Sequence, residues 1–249
     1  MSEDLVETVG ENVERPVGGV GLSSVGLQSR RDLLKTAGVV AGAARGTCVV
    51  LCPTIAPESV ESFATRLDAL GIDWIEAPMS GGPARARAGT MSLMVACRDT
   101  VFDRHGALLA TLADPVFRLG ERAGDGARTK LVNNLLASIN LVGAAEALAL
   151  AERVGLDPAR TLAVVERSSG QSWIGGDRMA RALVGDSAPL AHTTLLAKDS
   201  GLAIAMAAAA GIDPKLGALA AAAFASAVAQ GHGELDDSCL LDLFRAQKV

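Results

Sequence analysis

Tyrosine is absent from this chain of 249 residues, and aromatic residues together make up only 3% of it. The absence of tyrosine excludes the tyrosine-based proton transfer that short-chain dehydrogenases use, whatever the fold. Because bulky rings are few and alanine is abundant, the composition favours helices that pack closely together. A chain of this length suits one or two domains with a sizeable core.

Histidine and cysteine are few, and their positions argue against a metal site. His105, His192 and His232 lie far apart and lack the spacing of zinc ligands. Cys48 and Cys52 form a lone C-x-x-x-C in an apolar run that predicts a strand, so we expect buried thiols there. The scattered cysteines fit a reduced, cytoplasmic protein without a metal.

Charge and hydrophobic runs also limit the partners. The net charge is −5 and no basic block marks a nucleic-acid surface, so we expect no nucleic-acid partner. The apolar run from Leu202 to Ala210 is short and is soon broken by Gly211 and Pro214. It is too short to span a membrane, and we expect no membrane partner.

The most informative stretch runs from Gly124 to Val154. Two glycines flank Asp125, and a long segment rich in alanine and leucine follows without proline. This pattern predicts a long helix with Asp125 as its N-cap, because a carboxylate there can accept the free N–H groups of the first turn. The segment is apolar on every side, which predicts a helix buried all round.

Lys130 and Asn134 interrupt this apolar pattern. They are four residues apart and share one face of the predicted helix. One interpretation of Lys130 is a solvated first-turn residue. The other is functional: the N-terminal end of the helix dipole and partial burial would lower the pKa of the ammonium toward a range useful for acid–base chemistry. Asn134 can donate and accept, and would hold a substrate oxygen beside the ammonium.

The spacing Gly124-x-Gly126-x-x-x-Lys130-x-x-x-Asn134 resembles the catalytic signature of the β-hydroxyacid dehydrogenase family. Members of that family include 3-hydroxyisobutyrate dehydrogenase, tartronate semialdehyde reductase and L-threonate dehydrogenase. The resemblance implies that Lys130 is the catalytic general acid/base and that Asn134 orients the substrate. It also implies NAD or NADP as the cofactor and a small hydroxyacid or semialdehyde as the substrate.

Two further segments resemble the substrate-binding parts of the family. Ser80, Gly81 and Gly82 match its substrate loop, where a hydroxyl and free backbone N–H groups would hold a carboxylate. On its own such a tripeptide is more often a simple turn. Residues 168–173 resemble a loop at the substrate mouth, which makes Trp173 a substrate-binding candidate. Plain core packing is an equal alternative for this tryptophan.

Three more residues resemble cofactor-binding positions. Thr54 lies in a turn that resembles the one contacting the nicotinamide half of the cofactor, although a simple turn or cap would also use threonine. Lys198 and Asp199 match a Lys-Asp pair of the family. In the family this lysine lies near the cofactor, and the aspartate braces the site.

The segment from Val17 to Gly38 admits a nucleotide-binding interpretation. Gly18, Gly21 and Gly26 fall on the glycine positions of the family's dinucleotide loop, with Ser23 where the middle glycine belongs. The helix that follows would direct its N-terminus at the pyrophosphate. A serine adds a Cβ where the family has none, which weakens the expected contact with phosphate.

The same segment admits two other interpretations. Residues 29–35, with their twin arginines, and the apolar run after them resemble a twin-arginine export signal. An ordinary amphipathic helix after a glycine-rich turn is the third interpretation. We favour the nucleotide loop and a cytoplasmic enzyme, because the segments that follow predict cytosolic redox chemistry.

The predicted fold class is α/β followed by all-α. The resemblance implies a shortened, Rossmann-like parallel sheet, a long linking helix and an all-helical domain of the 6-phosphogluconate dehydrogenase type. The predicted boundaries are a loose acidic tail over residues 1–16, the NAD(P)-binding domain over 17–122, and the linking helix with the helical domain over 123–249. We expect a homodimer or higher oligomer through the helical domain.

The predicted sheet domain is shorter than the family's. Only about ten residues separate the first predicted helix from the strand at Thr47 to Cys52, where the family has several strands and helices. The residue that reads the ribose 2′ position falls in the missing part, so the sequence does not distinguish NAD from NADP. The alternative function is therefore a cofactor-deficient paralogue that binds small acids or pairs with a complete subunit without turnover.

Overall fold

The computed structural model describes Ala43 and residues 46–247 of the chain. The predicted acidic tail and the segment from Val17 to Gly38 lie outside the described residues. So do the four residues predicted for the dinucleotide loop: Gly18, Gly21, Ser23 and Gly26. The choice between a nucleotide loop and an export signal therefore stays a prediction.

Five short strands form one sheet. They are β1 Cys48–Leu51, β2 Asp73–Glu76, β3 Met79–Ser80, β4 Ser92–Ala96 and β5 Val116–Gly120. β1 is parallel to β2, and β4 is parallel to β5. β4 runs antiparallel to both β2 and β3, which lie along one side of it while β5 lies along the other.

Nine α-helices lie within residues 46–247. They are α1 Pro57–Asp68, α2 Gly82–Ala88, α3 Asp99–Leu112, α4 Asp125–Arg153, α5 Pro158–Val165, α6 Trp173–Leu183, α7 Thr193–Ala209, α8 Lys215–Ala227 and α9 Leu240–Ala246. Strands and helices mix as far as β5, and only helices follow. The predicted fold class, α/β followed by all-α, is confirmed.

The sheet is mixed, whereas the sequence predicted a parallel one. The difference arises between β3 and β4. The connection there is shorter than the dozen or more residues that a crossover between parallel strands needs. The chain therefore returns through the short helix α2, and β4 pairs with β3 in the antiparallel sense.

The predicted long helix is present as α4, which has 29 residues and spans about 44 Å at 1.5 Å per residue. It contacts β4 near its start and packs against α6, α7, α8 and α9 further along. The core between these helices contains large side chains that are fully buried. They are Leu141, Leu148, Met179, Phe224, Leu240 and Leu241.

The prediction that α4 is buried on every side is wrong. Val132, Leu136 and Leu150 are 60%, 58% and 62% exposed. The other elements of the chain cover only part of the helix circumference, and the sequence pattern alone does not show which part. The length and hydropathy of α4 would also allow a membrane span, but a core helix passes the same test. Its buried polar residues, Lys130 and Asn134, fit a core helix.

The prediction of buried thiols is wrong for Cys52. β1 ends at Leu51, so Cys52 lies in the turn beyond the strand and is exposed, while Cys48 is half-buried. Burial raises the pKa of the Cys48 thiol to about 11, which keeps it protonated at neutral pH. Within the part of the chain that the structure describes, no group of three or more His, Cys, Asp or Glu is arranged to hold a metal ion.

Candidate active site

The start of α4 is capped differently from the prediction. Gly124 occupies the N-cap position, and Asp125 is the first helical residue, so the prediction of Asp125 as the N-cap is wrong. Gly124 has a φ of +88°, a left-handed conformation that favours glycine. The Asp125 carboxylate pairs instead with the Arg128 guanidinium at 3.1 Å, one turn further along the helix.

The cap is supplied by Glu76, the last residue of β2. Its carboxylate accepts hydrogen bonds from the backbone N–H groups of Gly124 at 2.9 Å, Gly126 at 3.1 Å and Ala127 at 2.5 Å. Burial raises the pKa of the Glu76 carboxyl even though these three hydrogen bonds lower it. Glu76 therefore fastens the first turn of α4 to the strand that leads to the candidate substrate loop.

Gly126 allows this close approach of helix and strand. A Cβ added at Gly126 would lie 2.8 Å from Cδ of Glu76 and 2.9 Å from the backbone oxygen of Met94. The two glycines of the motif thus have separate roles. Gly124 adopts a left-handed conformation, and Gly126 leaves room for the carboxylate and for the backbone of β4.

We expect Gly126→Ala to destabilise the protein by about 1–3 kcal/mol, because the added methyl group overpacks this contact. Gly143→Ala is the matched control in the same helix, since a Cβ at Gly143 meets nothing within 4 Å. The control should be neutral or more stable by about 0.5–1 kcal/mol. Urea unfolding of both variants measures the difference. Equal stability of the two variants would contradict the role given to Gly126.

Lys130 lies one turn beyond the capped start of α4 and is only 8% exposed. The interpretation of Lys130 as a solvated first-turn residue is therefore wrong. Burial is the main cause that lowers the pKa of its ammonium group; Asp199 opposes this by attraction, and Lys198 adds to it by repulsion. Because its pKa is lowered, a larger fraction of Lys130 is in the neutral amine form at a given pH than for a solvated lysine.

A chain of hydrogen bonds connects the polar residues around Lys130. Nδ2 of Asn134 donates to Oδ2 of Asp199 at 2.7 Å, and Nζ of Lys198 donates to Oδ1 of the same carboxylate. The Lys198 ammonium also donates to the backbone oxygen of Thr54 at 2.8 Å. Asn134 and Asp199 are both buried. This network joins α4, α7 and the turn after β1 in one polar cluster.

The predicted substrate loop follows β3. Ser80 pairs with Ser92 across the strands, and the Ser92 hydroxyl donates to the Ser80 backbone oxygen at 3.4 Å. Gly81 and Gly82 have φ values of +130° and +65°, both in the range that favours glycine. The backbone of this loop therefore favours glycine at both positions.

Trp173 is the first residue of α6 and is 46% exposed, so it is not a plain core residue. The hydroxyl of Ser172 caps this helix by accepting from the backbone N–H of Gly175 at 3.1 Å. The guanidinium of Arg85, from α2, lies over the Trp173 ring with its central carbon 4.8 Å from the ring centroid. Trp173 thus contacts the helix that continues the substrate loop.

The structure places the predicted site residues in two groups. The first group is the polar cluster of α4, α7 and the β1 turn: Thr54, Lys130, Asn134, Lys198 and Asp199. The second group is the loop after β3 with the tryptophan that contacts its helix: Ser80, Gly81, Gly82 and Trp173. β4 connects the groups, since it pairs with β3 and also contacts the start of α4. Glu76 and Arg85 are the residues of this region that the sequence did not predict.

The sheet edge beside the first group is formed by the carboxyl ends of two parallel strands. β1 and β2 are parallel, so their carboxyl ends lie at the same edge. Thr54 follows β1 at this edge. The half-exposed ammonium group of Lys198 donates a hydrogen bond to the backbone oxygen of Thr54. Ligands of open α/β sheets bind at this edge, so Thr54 and Lys198 lie where they would fit a dinucleotide.

Two family models match the chain. The NAD binding domain of 6-phosphogluconate dehydrogenase matches residues 24–120. The NAD-binding domain of NADP-dependent 3-hydroxyisobutyrate dehydrogenase matches residues 124–244. The two matches meet in the turn between β5 and α4, and together they cover most of the chain.

Individual relatives agree with these matches. An L-threonate dehydrogenase of Cupriavidus necator is 34% identical over 87% of this chain and 73% of its own length. A 2-(hydroxymethyl)glutarate dehydrogenase of Eubacterium barkeri is 31% identical over 83% of this chain and 69% of its own length. The crystal structure of a 3-hydroxyisobutyrate dehydrogenase from Salmonella typhimurium superimposes with a TM-score of 0.80 at 31% identity. It covers 86% of this chain and 75% of the solved one.

Proposed function

Because the chain belongs to the β-hydroxyacid dehydrogenase family, an NAD(P)-dependent family of enzymes, we propose that it acts on a small β-hydroxyacid with Lys130 as the general acid/base. The substrate class is 3-hydroxyisobutyrate-, glycerate- or L-threonate-like, and the reverse direction reduces the matching semialdehyde or keto acid. The observation that carries the proposal is the buried ammonium of Lys130 beside the Asn134–Asp199 pair.

Lys130 moves the proton in this proposal. In the oxidation its neutral amine takes the proton of the substrate hydroxyl, and its charge then stabilises the developing alkoxide until the carbonyl forms. In the reduction the ammonium donates that proton to the carbonyl oxygen. Burial supports both directions, since it lowers the pKa of Lys130 toward the working pH.

Asn134 and Asp199 hold the substrate oxygen in place. The Asn134 side-chain oxygen accepts from Nδ2 of Asn133 at 3.0 Å, and its own Nδ2 donates to Asp199 at 2.7 Å. These two bonds fix the orientation of the amide and leave its second N–H to bind a substrate oxygen. Asp199 also keeps Lys198 paired, so that the repulsion between Lys198 and Lys130 is offset.

The loop of Ser80, Gly81 and Gly82 binds the acid group of the substrate. Gly81 and Gly82 both have positive φ angles, and the backbone N–H groups of such a turn would be the donors to the acid group. Thr54 and Lys198 would hold the nicotinamide end of the cofactor. When bound, the cofactor supplies the acceptor or donor of the hydride.

A second candidate function is a cofactor-deficient paralogue that binds small acids or pairs with a complete subunit. The predicted shortening of the sheet domain favours it, because only about ten residues separate the first predicted helix from the strand at Thr47 to Cys52. Titration of NAD and NADP against tryptophan fluorescence separates the two functions, because Trp173 lies beside the site and is partly exposed. Saturable quenching by either nucleotide supports the dehydrogenase. The absence of quenching, together with the absence of turnover, supports the paralogue.

We expect the protein to form at least a dimer through its helical domain. Large apolar side chains are exposed on two of its helices: Val132 and Leu136 on α4, and Leu216 and Leu219 on α8. Exposed apolar surface of this kind is commonly covered by a second subunit. Light scattering across a micromolar concentration series should give the mass of two or more chains. A constant mass of one chain would contradict the expectation.

A further inference from the structure

Arg85 presents a guanidinium that the mechanism above does not use. It makes no ion pair and no side-chain hydrogen bond with the residues that the structure describes; its contact is the face of Trp173 at 4.8 Å. A guanidinium stacked on an indole ring keeps its in-plane N–H groups available. The donors of this guanidinium therefore have no acceptor among the described residues and are free to bind one.

The side chain of Arg85 also lies directly against the candidate substrate loop. A Cβ added at Gly81 would lie 2.7 Å from Cδ and 2.8 Å from Cβ of Arg85. The aliphatic part of Arg85 therefore covers Gly81, and its charged end continues past the loop to α6. An anion held by the loop would have this guanidinium as a neighbour.

The contacts of α6 with α4 show where its first residues, which include Trp173, lie relative to Lys130. Gly175, near the start of α6, packs close to Ala144 and to the backbone oxygen of Asn140 on α4. These positions lie about 9 to 15 Å beyond Asn134 along the helix axis, at 1.5 Å per residue. The start of α6 is therefore displaced along α4 from Lys130, the residue that would take the proton of the substrate hydroxyl.

We propose that Arg85, held on Trp173, binds a second carboxylate of the substrate, at the end remote from the hydroxyl that is oxidised. The inference rests on the proposed function and specifies, among small β-hydroxyacids, those that carry a second carboxylate. Arginine suits this role because its fork of donors binds a carboxylate in a bidentate manner. The backbone N–H groups of Gly81 and Gly82 hold the first carboxylate, and Arg85 holds the second.

A purely structural role for Arg85 predicts a different outcome. If the contact with Trp173 only fastens α2 to α6, its loss disturbs all substrates alike. If Arg85 binds a second carboxylate, its loss changes the preference between a substrate that has this carboxylate and one that lacks it. The ratio of kcat/KM values for two such substrates therefore separates the two roles.

Two acids form a suitable pair. 2-(Hydroxymethyl)glutarate and 3-hydroxyisobutyrate share the same hydroxymethyl carboxylic acid centre, and the first carries an additional carboxylate arm. We expect Arg85→Met to lower the ratio of kcat/KM for the dicarboxylate to that for the monocarboxylate by about 10- to 100-fold, the loss typical of a hydrogen-bonded charged pair. Arg87→Met is the matched control. Arg87 is an exposed arginine on the same helix, and its replacement removes the same charge while the ratio stays the same.

An unchanged ratio in Arg85→Met, or an equal fall in Arg87→Met, would overturn the inference. Calorimetric titration of the dicarboxylate into the unmodified protein and both variants gives a readout that does not need turnover. If no substrate is oxidised but the dicarboxylate binds more weakly to Arg85→Met alone, the proposed oxidation fails and the role of Arg85 in binding the second carboxylate stands. If all three proteins bind the dicarboxylate equally, or none binds it, the inference fails whatever the activity.

Discussion

Replacement of Lys130 by methionine should lower kcat for hydroxyacid oxidation by about 10²–10⁴-fold, the usual contribution of a proton-transfer residue. Methionine has a similar length and no charge, so it fills the buried position without leaving a cavity or an unpaired ammonium. We therefore expect the variant to fold and to bind cofactor. Steady-state kinetics with the substrate that the unmodified protein turns over best measures the loss.

Lys215→Met is the control for this change. Lys215 is an exposed lysine whose ion pair, among the described residues, is with Asp213, and its replacement removes the same charge from the chain. It should leave kcat unchanged. If Lys130→Met oxidised the substrate within about threefold of the unmodified protein, the assignment of Lys130 as the general acid/base would be wrong, because that loss is far below the expected range.

The pH dependence of the unmodified protein follows from the same residue. Oxidation needs the neutral amine of Lys130, so kcat/KM for the hydroxyacid should rise as the pH increases through the pKa of Lys130. Burial lowers that pKa from its ordinary value of 10.5, so the rise should come at a lower pH than for a solvated lysine. Reduction needs the ammonium and should show the opposite slope.

Replacement of Glu76 by alanine should destabilise the protein by about 2–5 kcal/mol, because three buried backbone N–H groups lose their acceptor. It should also lower kcat, since the first turn of α4 places Lys130. Urea unfolding and steady-state kinetics measure the two effects. Glu146→Ala, at an exposed acid of the same helix, should change neither by much.

A loss of less than about 1 kcal/mol in Glu76→Ala would contradict the capping role, since even one unsatisfied buried donor costs about that much. The pH dependence offers a second check. Burial raises the pKa of Glu76 above its ordinary value of 4.5, so the folded state binds this proton more readily than the unfolded state. The stability that Glu76 contributes is thus fully present below pH 4.5 and falls as the pH rises through the raised pKa. As the pH rises from 4.5 through the raised pKa, the difference in unfolding free energy between the unmodified protein and Glu76→Ala should therefore decrease.

Local sequence patterns predicted the parts of the site that depend on local geometry. The spacing of Lys130 and Asn134 placed both on one face of α4, and both are buried there. Glycine at positions 81, 82 and 124 corresponds to left-handed backbone conformations that other residues adopt rarely. These features depend on a few neighbouring residues, which is why the sequence shows them directly.

The features that the sequence did not predict depend on residues far apart in the chain. Glu76 caps a helix that begins 49 residues later, and no local signal connects a strand carboxylate to that turn. The contact of Arg85 with Trp173 likewise joins two helices from different parts of the fold. The apolar composition of α4 gave no indication of which side stays exposed, because the exposed side is apolar too, as Val132, Leu136 and Leu150 show.

The most direct test of the proposed function is the formation of reduced nicotinamide, followed by its absorbance, when the protein is mixed with NAD or NADP and a set of small hydroxyacids. The set contains 3-hydroxyisobutyrate, glycerate, L-threonate and 2-(hydroxymethyl)glutarate. The proposed mechanism predicts reduced cofactor with at least one of these acids, and a loss of that activity in Lys130→Met. A folded protein that binds cofactor but reduces none of it with any of the acids, or a Lys130→Met variant as active as the unmodified protein, would contradict it.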